Sequence, residues 1–337
     1  MNTAQDLEPA LQALVPSILG EDGAIEGLAR LSGGASQETW AFDAVGRTGR
    51  RMSFILRRAP GGVANPDRTG PPLETEAALI KAAAMAGAPA PGVAHVCAPE
   101  DGVGHAFIMH RVEGETIARK ILRDEAFASA RARLAGQCGA ALAAIHAIDR
   151  RQLPDSLETA FGADIVARYE DIYLSFDAPR PIFDLAIQWL RAHVPVPLEP
   201  VLVHGDFRLG NLMVDQGGLA SVLDWELAHI GDPREDLSWI CVNSWRFGQS
   251  QNRVGGFGDL NALLDSYWEA GGQPFNPDDI DWWEMLGTLK WGVMCMIMYD
   301  VFRTGTDPSV ERAAIGRRVS ETEIDLINLL ERRRSNA

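Results

Sequence analysis

Val201-Leu-Val-His-Gly-Asp-Phe-Arg-Leu-Gly-Asn-Leu-Met-Val-Asp215, followed by Ser221-Val-Leu-Asp-Trp-Glu226, is the stretch whose reading decides the fold. An apolar strand delivers His204-Gly205-Asp206, a tight loop ends at Asn211, and Asn211 leads another short strand. A Gln216-Gly217-Gly218 turn then returns the chain along a further strand that delivers Asp224. Two carboxylates and one carboxamide are thereby expected at the ends of neighbouring strands. Downstream, in Ala228-His-Ile-Gly-Asp-Pro-Arg-Glu-Asp-Leu237, Asp232 is a good N-cap, Pro233 suits the first helical position and Glu235 sits at the third, so a helix should open there.

Upstream, the chain changes character near Ile117. From there it consists of long Ala/Leu-rich helical stretches such as Phe127 to Ala147, interrupted by the short strands above. Before that point, residues 28–58 read as a β-hairpin followed by another strand: a Gly-Gly turn, an alternating run at Thr39 to Phe42, a Gly/Arg turn, then Phe54 to Leu56. A Pro/Gly loop precedes a helical segment that ends in Gly87, and VAHVCAPE and HAFIMHRV supply two more strands. The expected fold is α+β and two-lobed. A small β-rich lobe with one helix covers residues 1–110, a larger mainly helical lobe covers 111–337, the hinge lies near 107–114, and the cleft between them is the natural ligand site.

Phosphoryl transfer needs a carboxylate to orient and deprotonate the attacking hydroxyl, and oxygen ligands for Mg²⁺ on the phosphates. Asp206 is expected as the base, Asn211 and Asp224 as the metal ligands, and Arg208 as a cation beside the transferring group. At these residues the chain resembles the aminoglycoside phosphotransferase-like family, relatives of protein kinases that carry HGDxxxxN in place of HRDxxxxN and D-x-[DE] in place of DFG. The resemblance implies a protein-kinase-like fold, ATP and Mg²⁺, and a small-molecule hydroxyl acceptor. In the small lobe, Leu31-Ser-Gly-Gly-Ala-Ser36 sits where the family has its nucleotide loop, with Gly33, Gly34 and Ser36 as phosphate contacts. Arg57 replaces the usual Lys at the end of a strand, Glu76 is its expected ion-pair partner, and Phe107-Ile-Met-His-Arg-Val112 resembles the inter-lobe hinge, with His110 and Val112 near the adenine. LRR, HGDFRLGN and LDWE look particularly like the phosphotransferase domain found fused to acyl-CoA dehydrogenase modules, which implies hydroxyacyl-CoA acceptors.

Other readings remain. A two-metal phosphoesterase lacks a GNH or DxH run for the remaining ligands, and a non-catalytic nucleotide-binding module would be expected to lose one of Asp206, Asn211 or Asp224, all of which stand. A kinase for a cationic acceptor, such as an aminoglycoside or choline-like amine, is the chemical alternative. Seven of the nine tryptophans fall at 225–291, and residues 225–300 hold 12 acidic against 4 basic side chains, so acidic plus aromatic lining would suit a cation and aromatic lining alone an acyl chain. Asp278, Asp279 and Asp281 are read as a solvated helix start, and His204 as a structural hydrogen-bonding residue of its loop.

The 337 residues carry a net charge of −15, which argues against a nucleic-acid partner, whose affinity comes from Lys/Arg contacts. Met1 to Gly20 has no basic region before its apolar stretch, and the most apolar later run, Trp291 to Tyr299, is too short to span a bilayer. The four cysteines show no metal spacing, as expected of free thiols in a reducing compartment, and a cytoplasmic protein without a membrane helix is the expectation.

Overall fold

The computed structural model describes residues 4–31, 37–65 and 70–336. The chain begins with α1 (Ala4–Leu19), then β1 (Gly23–Arg30), β2 (Glu38–Gly46) and β3 (Arg51–Arg58), α2 (Leu73–Met85), β4 (Val93–Val96) and β5 (Ala106–His110). The five strands form one antiparallel sheet in the order β1-β2-β3-β5-β4. Leu7, Leu11, Val15 and Ile18 recur at helical spacing and bury one face of α1 against Trp40, Phe42, Phe54 and Leu56. Among its described residues the small lobe therefore has two α-helices where one was expected: the apolar stretch before Gly20 is a packed helix. In α2, Leu73, Glu76, Ala77, Ile80 and Ala83 lie on the buried stripe, and Gly87 at φ +87° closes the helix end.

The larger lobe contains α3 (Ala118–Arg123), α4 (Ala128–His146), α5 (Gly162–Ser175), α6 (Pro181–Ala192), β6 (Val201–Val203), β7 (Leu212–Asp215), β8 (Gly218–Val222), β9 (His229–Gly231) and α7 (Arg234–Trp239). It ends with α8 (Leu260–Glu269), α9 (Pro277–Arg303), α10 (Val310–Gly316) and α11 (Val319–Asn336). β7 pairs with β8 and β6 with β9, both antiparallel, so the loops after β6 and β8 are brought side by side. One core runs from α2 through α4 to the short strands and α8, and a second is built from α5, α6, α7, α9 and α11.

Several local expectations are corrected. The apolar run near Trp291 belongs to a helix of 27 residues that is long and apolar enough, by length and composition, to cross a membrane. More than half of its most apolar stretch is buried inside the protein, and it holds Glu284 and Lys290 in ion pairs. Asp278 is exposed and Asp279 half-buried at its start, with Asp279 accepting the Asn276 N–H (2.8 Å), but Asp281 is buried and pairs with Arg253. The basic residues of 225–300 are all engaged within the fold: Arg234, Arg246 and Arg253 pair with Asp232, Glu284 and Asp281, and Lys290 with Glu235. All four cysteines are free thiols, three of them buried.

Candidate active site

The loop after β6 is shaped by its backbone. Gly205 lies at φ +80°, and a Cβ there would meet the Leu227 carbonyl oxygen at 2.3 Å, so glycine is required. Asp236 of α7, fully buried, accepts the N–H groups of His204 (2.7 Å) and Gly205 (3.0 Å), one on each carboxylate oxygen. Leaving either amide unpaired in this interior would cost about 1–3 kcal/mol. His204 Nδ1 accepts the Asp206 N–H (3.2 Å), so Nε2 carries the ring proton and donates to the Leu223 carbonyl (3.1 Å). Burial lowers the His204 pKa despite the carboxylates nearby. His204 thus ties the Asp206 loop to the strand end before Asp224, as a structural residue.

Asp206 accepts three side-chain donors. Arg208 Nε (2.9 Å) and Trp239 Nε1 (2.7 Å) reach Oδ1, and Asn211 Nδ2 (2.5 Å) reaches Oδ2. Asn211 is held further by its Nδ2 on the Asp206 carbonyl (3.1 Å) and by its own carbonyl accepting Leu223 N–H (2.8 Å). Its amide nitrogen being engaged, its oxygen is the atom available to a cation. Asp224 sits at φ +64°, a left-handed conformation uncommon outside glycine and tolerated best by Asp and Asn. Arg57 donates Nη2 to Asp224 (2.5 Å) and Nε to Glu76 (2.8 Å), with Glu226 at 3.4 Å. Burial works against the Arg57 charge, but Glu76, Asp224 and Glu226 outweigh it and raise its pKa. Arg58 points the other way, to Glu38 (2.8 Å) and the Val103 carbonyl (2.6 Å).

Two cavities flank these groups. One, of about 490 Å³, lies between sheet and larger lobe and is lined by Ile55, Arg57, Glu76, His110, Val112, Asn211 and Asp224 among others. Six of the residues expected at a nucleotide site therefore share one cleft, while Asp206 and Arg208 stand behind Asn211. Gly33, Gly34 and Ser36 lie outside the described residues; Leu31, next in the chain, lines the cleft. The second cavity, of about 690 Å³, has walls including Leu157, Ile165, Ile172, Met294 and Met298 and a polar end made by Tyr169, His229, Glu235 and Lys290.

That polar end is a buried charge cluster. Glu235 accepts from Lys290 Nζ (3.1 Å) and from His229 Nε2 (3.0 Å), while His229 Nδ1 faces the Leu227 carbonyl (3.0 Å). Both His229 nitrogens meet acceptors, an arrangement that suits imidazolium. Burial lowers the His229 pKa, but Glu235 and the Leu227 carbonyl raise it overall. Burial likewise opposes the charge on Glu235, yet Lys290 and His229 hold its carboxyl down to about 2. Glu235, expected at the third helical position, makes these pairs, and at the α7 start the Asp232 carboxylate accepts Arg234 N–H (3.0 Å).

A pH dependence follows with its sign. A depressed carboxylate pKa contributes stability that is complete above the ordinary value, 4.5, and is lost as pH falls from there toward about 2. The thermal midpoint should drop across that window, and a Glu235→Gln/Lys290→Met double variant should show a shallower drop, read by scanning calorimetry. Equal slopes would remove the cluster from the acid response. His229, its pKa raised, contributes in the opposite sense, at low pH, and loses that contribution as pH rises through its folded value.

A family model described as phosphotransferase enzyme family matches residues 27–283, more than half of the chain. The chain belongs to that family. Acyl-CoA dehydrogenase family member 10 of Mus musculus is 28% identical over 246 residues, covering 70% of this chain and 22% of that protein. The chain thus spans about a fifth of the length of this curated relative. Among solved structures, a Ralstonia eutropha protein described as a candidate aminoglycoside phosphotransferase aligns at TM-score 0.73 and 22% identity, covering 96% of this chain and 98% of its own. A choline/ethanolamine kinase family protein of Mesorhizobium loti aligns at TM-score 0.64 and 19% identity, over 98% and 95% of the two chains. These likenesses establish the fold of this phosphotransferase-family chain as protein-kinase-like, with a β-sheet lobe and a helical lobe.

Three residues of the site had no signal in motif spacing. Asp236, Trp239 and Lys290 each act through a contact more than thirty residues away in sequence. His95, Cys97 and Asp101 also cluster, with their ligand-type atoms within 4.8 Å. Asp101 there is occupied by His95 (2.7 Å) and by Ala98 N–H (2.8 Å), and the cluster lies at the end of β4 and the turn after it, outside both cavities.

Proposed function

We propose that the protein is an ATP- and Mg²⁺-dependent kinase that transfers the γ-phosphoryl group to a hydroxyl of a small, largely aliphatic acceptor. The observation that carries the reading is the connected chain of side chains running from Glu76 through Arg57 to Asp224 in one cavity, and from Asn211 through Asp206, Trp239 and Lys290 to the other. The carboxylate of Asp224 and the amide oxygen of Asn211 are hard oxygen donors, which fit Mg²⁺; the ion would supply charge neutralisation on the phosphates. Arg57 grips phosphate oxygens, and the hinge meets the base. His110 N–H is already given to the Gly92 carbonyl (2.8 Å), so the adenine contact falls to the backbone around Val112. Asp206 takes the acceptor's hydroxyl proton as the oxygen bonds to phosphorus and the bond from phosphorus to the β,γ-bridging oxygen breaks, releasing ADP. By this reading, residues 1–110 are the nucleotide lobe and 111–337 hold the catalytic loop and acceptor pocket.

The acceptor class rests on the second cavity. Its walls are largely aliphatic, and among the described residues its carboxylates, Glu158 and Glu235, are both paired, with Arg168 and with Lys290 and His229, so neither is an unpaired anion for a polycation. That favours a hydroxyacyl-type acceptor, such as a hydroxyacyl-CoA, over an aminoglycoside or choline-like amine. ADP release with Mg-ATP, measured across hydroxyacyl thioesters, hydroxy acids, choline-like amines and aminoglycosides, tests this. Turnover confined to the cationic compounds would contradict the acceptor assignment.

Arg57→Lys bears on the nucleotide half. The guanidinium uses two nitrogens, Nε for Glu76 and Nη2 for Asp224, a spread that a single ammonium cannot reproduce. Losing one charge-assisted contact should raise the KM for ATP roughly tenfold and leave that for the acceptor nearly unchanged. An unaltered ATP KM in steady-state kinetics would remove Arg57 from the nucleotide site.

A further inference from the structure

We infer that Trp239 is a positioning residue for phosphoryl transfer, fixing Asp206 so that Oδ2 is the oxygen that takes the acceptor's proton; this rests on the base role proposed for Asp206. The indole N–H can only donate, and it donates to Oδ1 (2.7 Å). Arg208 Nε donates to the same oxygen (2.9 Å), so both in-plane lone pairs of Oδ1 are occupied. Oδ2 receives only Asn211 Nδ2 among the described residues, which leaves it one lone pair for a hydroxyl proton. The two oxygens of Asp206 are chemically distinct in this site, and the distinction is made by Trp239 and Arg208.

The indole is held as firmly as a side chain that positions another must be. Trp239 is 2% exposed and its ring is tilted at 56° to that of Trp245, with centroids 5.5 Å apart. The Lys290 ammonium lies 4.8 Å from its ring centroid, and a Cβ on Gly287 of α9 would come within 3.2 Å of its Cε3. Trp245 in turn carries the Arg208 guanidinium over its face at 4.4 Å. Both donors to Oδ1 are thereby fixed by one aromatic group, and the Lys290 end of that group lines the second cavity. The placement of the acceptor pocket and the aim of the base are coupled through one ring.

Trp239→Phe keeps most of the packing and removes the donor. The expected result is a roughly 10- to 100-fold fall in kcat, from losing one hydrogen bond to a charged group, with the KM for ATP unchanged within about twofold. Introduced into Asp206→Asn, the same change should bring no further loss, because the group it positions is already disabled; a merely structural role would be additive in that cycle. Parental kcat in Trp239→Phe, or additive losses, would overturn the inference while the Asp206 reading stands; parental turnover in Asp206→Asn would overturn both. Should Trp239→Phe not fold, indole ¹⁵N–H spectra of the parent and Asp206→Asn proteins decide instead. One of the nine indole resonances should shift strongly on removing the carboxylate, and superimposable indole spectra would overturn the inference.

Discussion

Asp206→Asn is expected to lower single-turnover phosphoryl transfer by about 10²- to 10⁴-fold, the range of a positioned general base, while nucleotide affinity falls no more than about tenfold. The hydrogen-bond pattern gives the reason for both halves. With Arg208 and Trp239 donating to one oxygen, the new amide must place its own oxygen there and turn its NH₂ toward Asn211. Asn211 then has to present its oxygen to that NH₂, which withdraws one oxygen from the cation; Asp224 and Arg57 remain in place. Transfer and nucleotide binding are therefore measured on the same preparation. Near-parental transfer would rule out Asp206 as the base.

Asp224→Ala is expected to abolish metal-dependent nucleotide binding, with an affinity loss above about 100-fold, because it removes the only carboxylate proposed as a ligand. Two features of the site shape the experiment. Asp224 lies at φ +64°, where alanine costs about 1–2 kcal/mol and asparagine less, so Asp224→Asn accompanies it as the variant that keeps the backbone. Arg57 retains Glu76 and Glu226 in either variant, so the inter-lobe ion pairing is reduced and not lost. Isothermal titration with Mg-ATP and with ATP plus chelator reads the outcome; unchanged affinity and metal requirement would exclude Asp224 as the principal ligand.

The parts of this site legible in the sequence are those whose geometry is local. His204, Asp206, Asn211 and Asp224 sit at strand ends a few residues from their turns, and Arg57, expected from the resemblance at the end of a strand, lines the cleft together with Ile55, two residues before it on the same face. The pairing of Arg57 with Glu76 was expected from the family resemblance, and the structure has the two side chains at 2.8 Å. What was hidden is contact between distant segments. Trp239 reaches Asp206 across 33 positions, and Lys290 reaches Glu235 across 55, with no spacing rule linking either pair. For the same reason the acidic surplus of residues 225–300 could not choose between a cationic and an acyl acceptor: Asp281 and Glu284 face inward to Arg253. The helix α1 was missed because its stretch was tested only as a signal sequence, while Leu7, Leu11, Val15 and Ile18 already showed helical spacing.

The central claim is that a hydroxyl oxygen attacks the γ-phosphorus between the two cavities. ³¹P NMR of the product formed from Mg-ATP and a hydroxyacyl acceptor tests it most directly. The account predicts a phosphate monoester on the acceptor's hydroxyl, in one-to-one amount with ADP and absent with Asp206→Asn. Inorganic phosphate as the sole product across the acceptor panel, or an acyl phosphate in place of the ester, would contradict it.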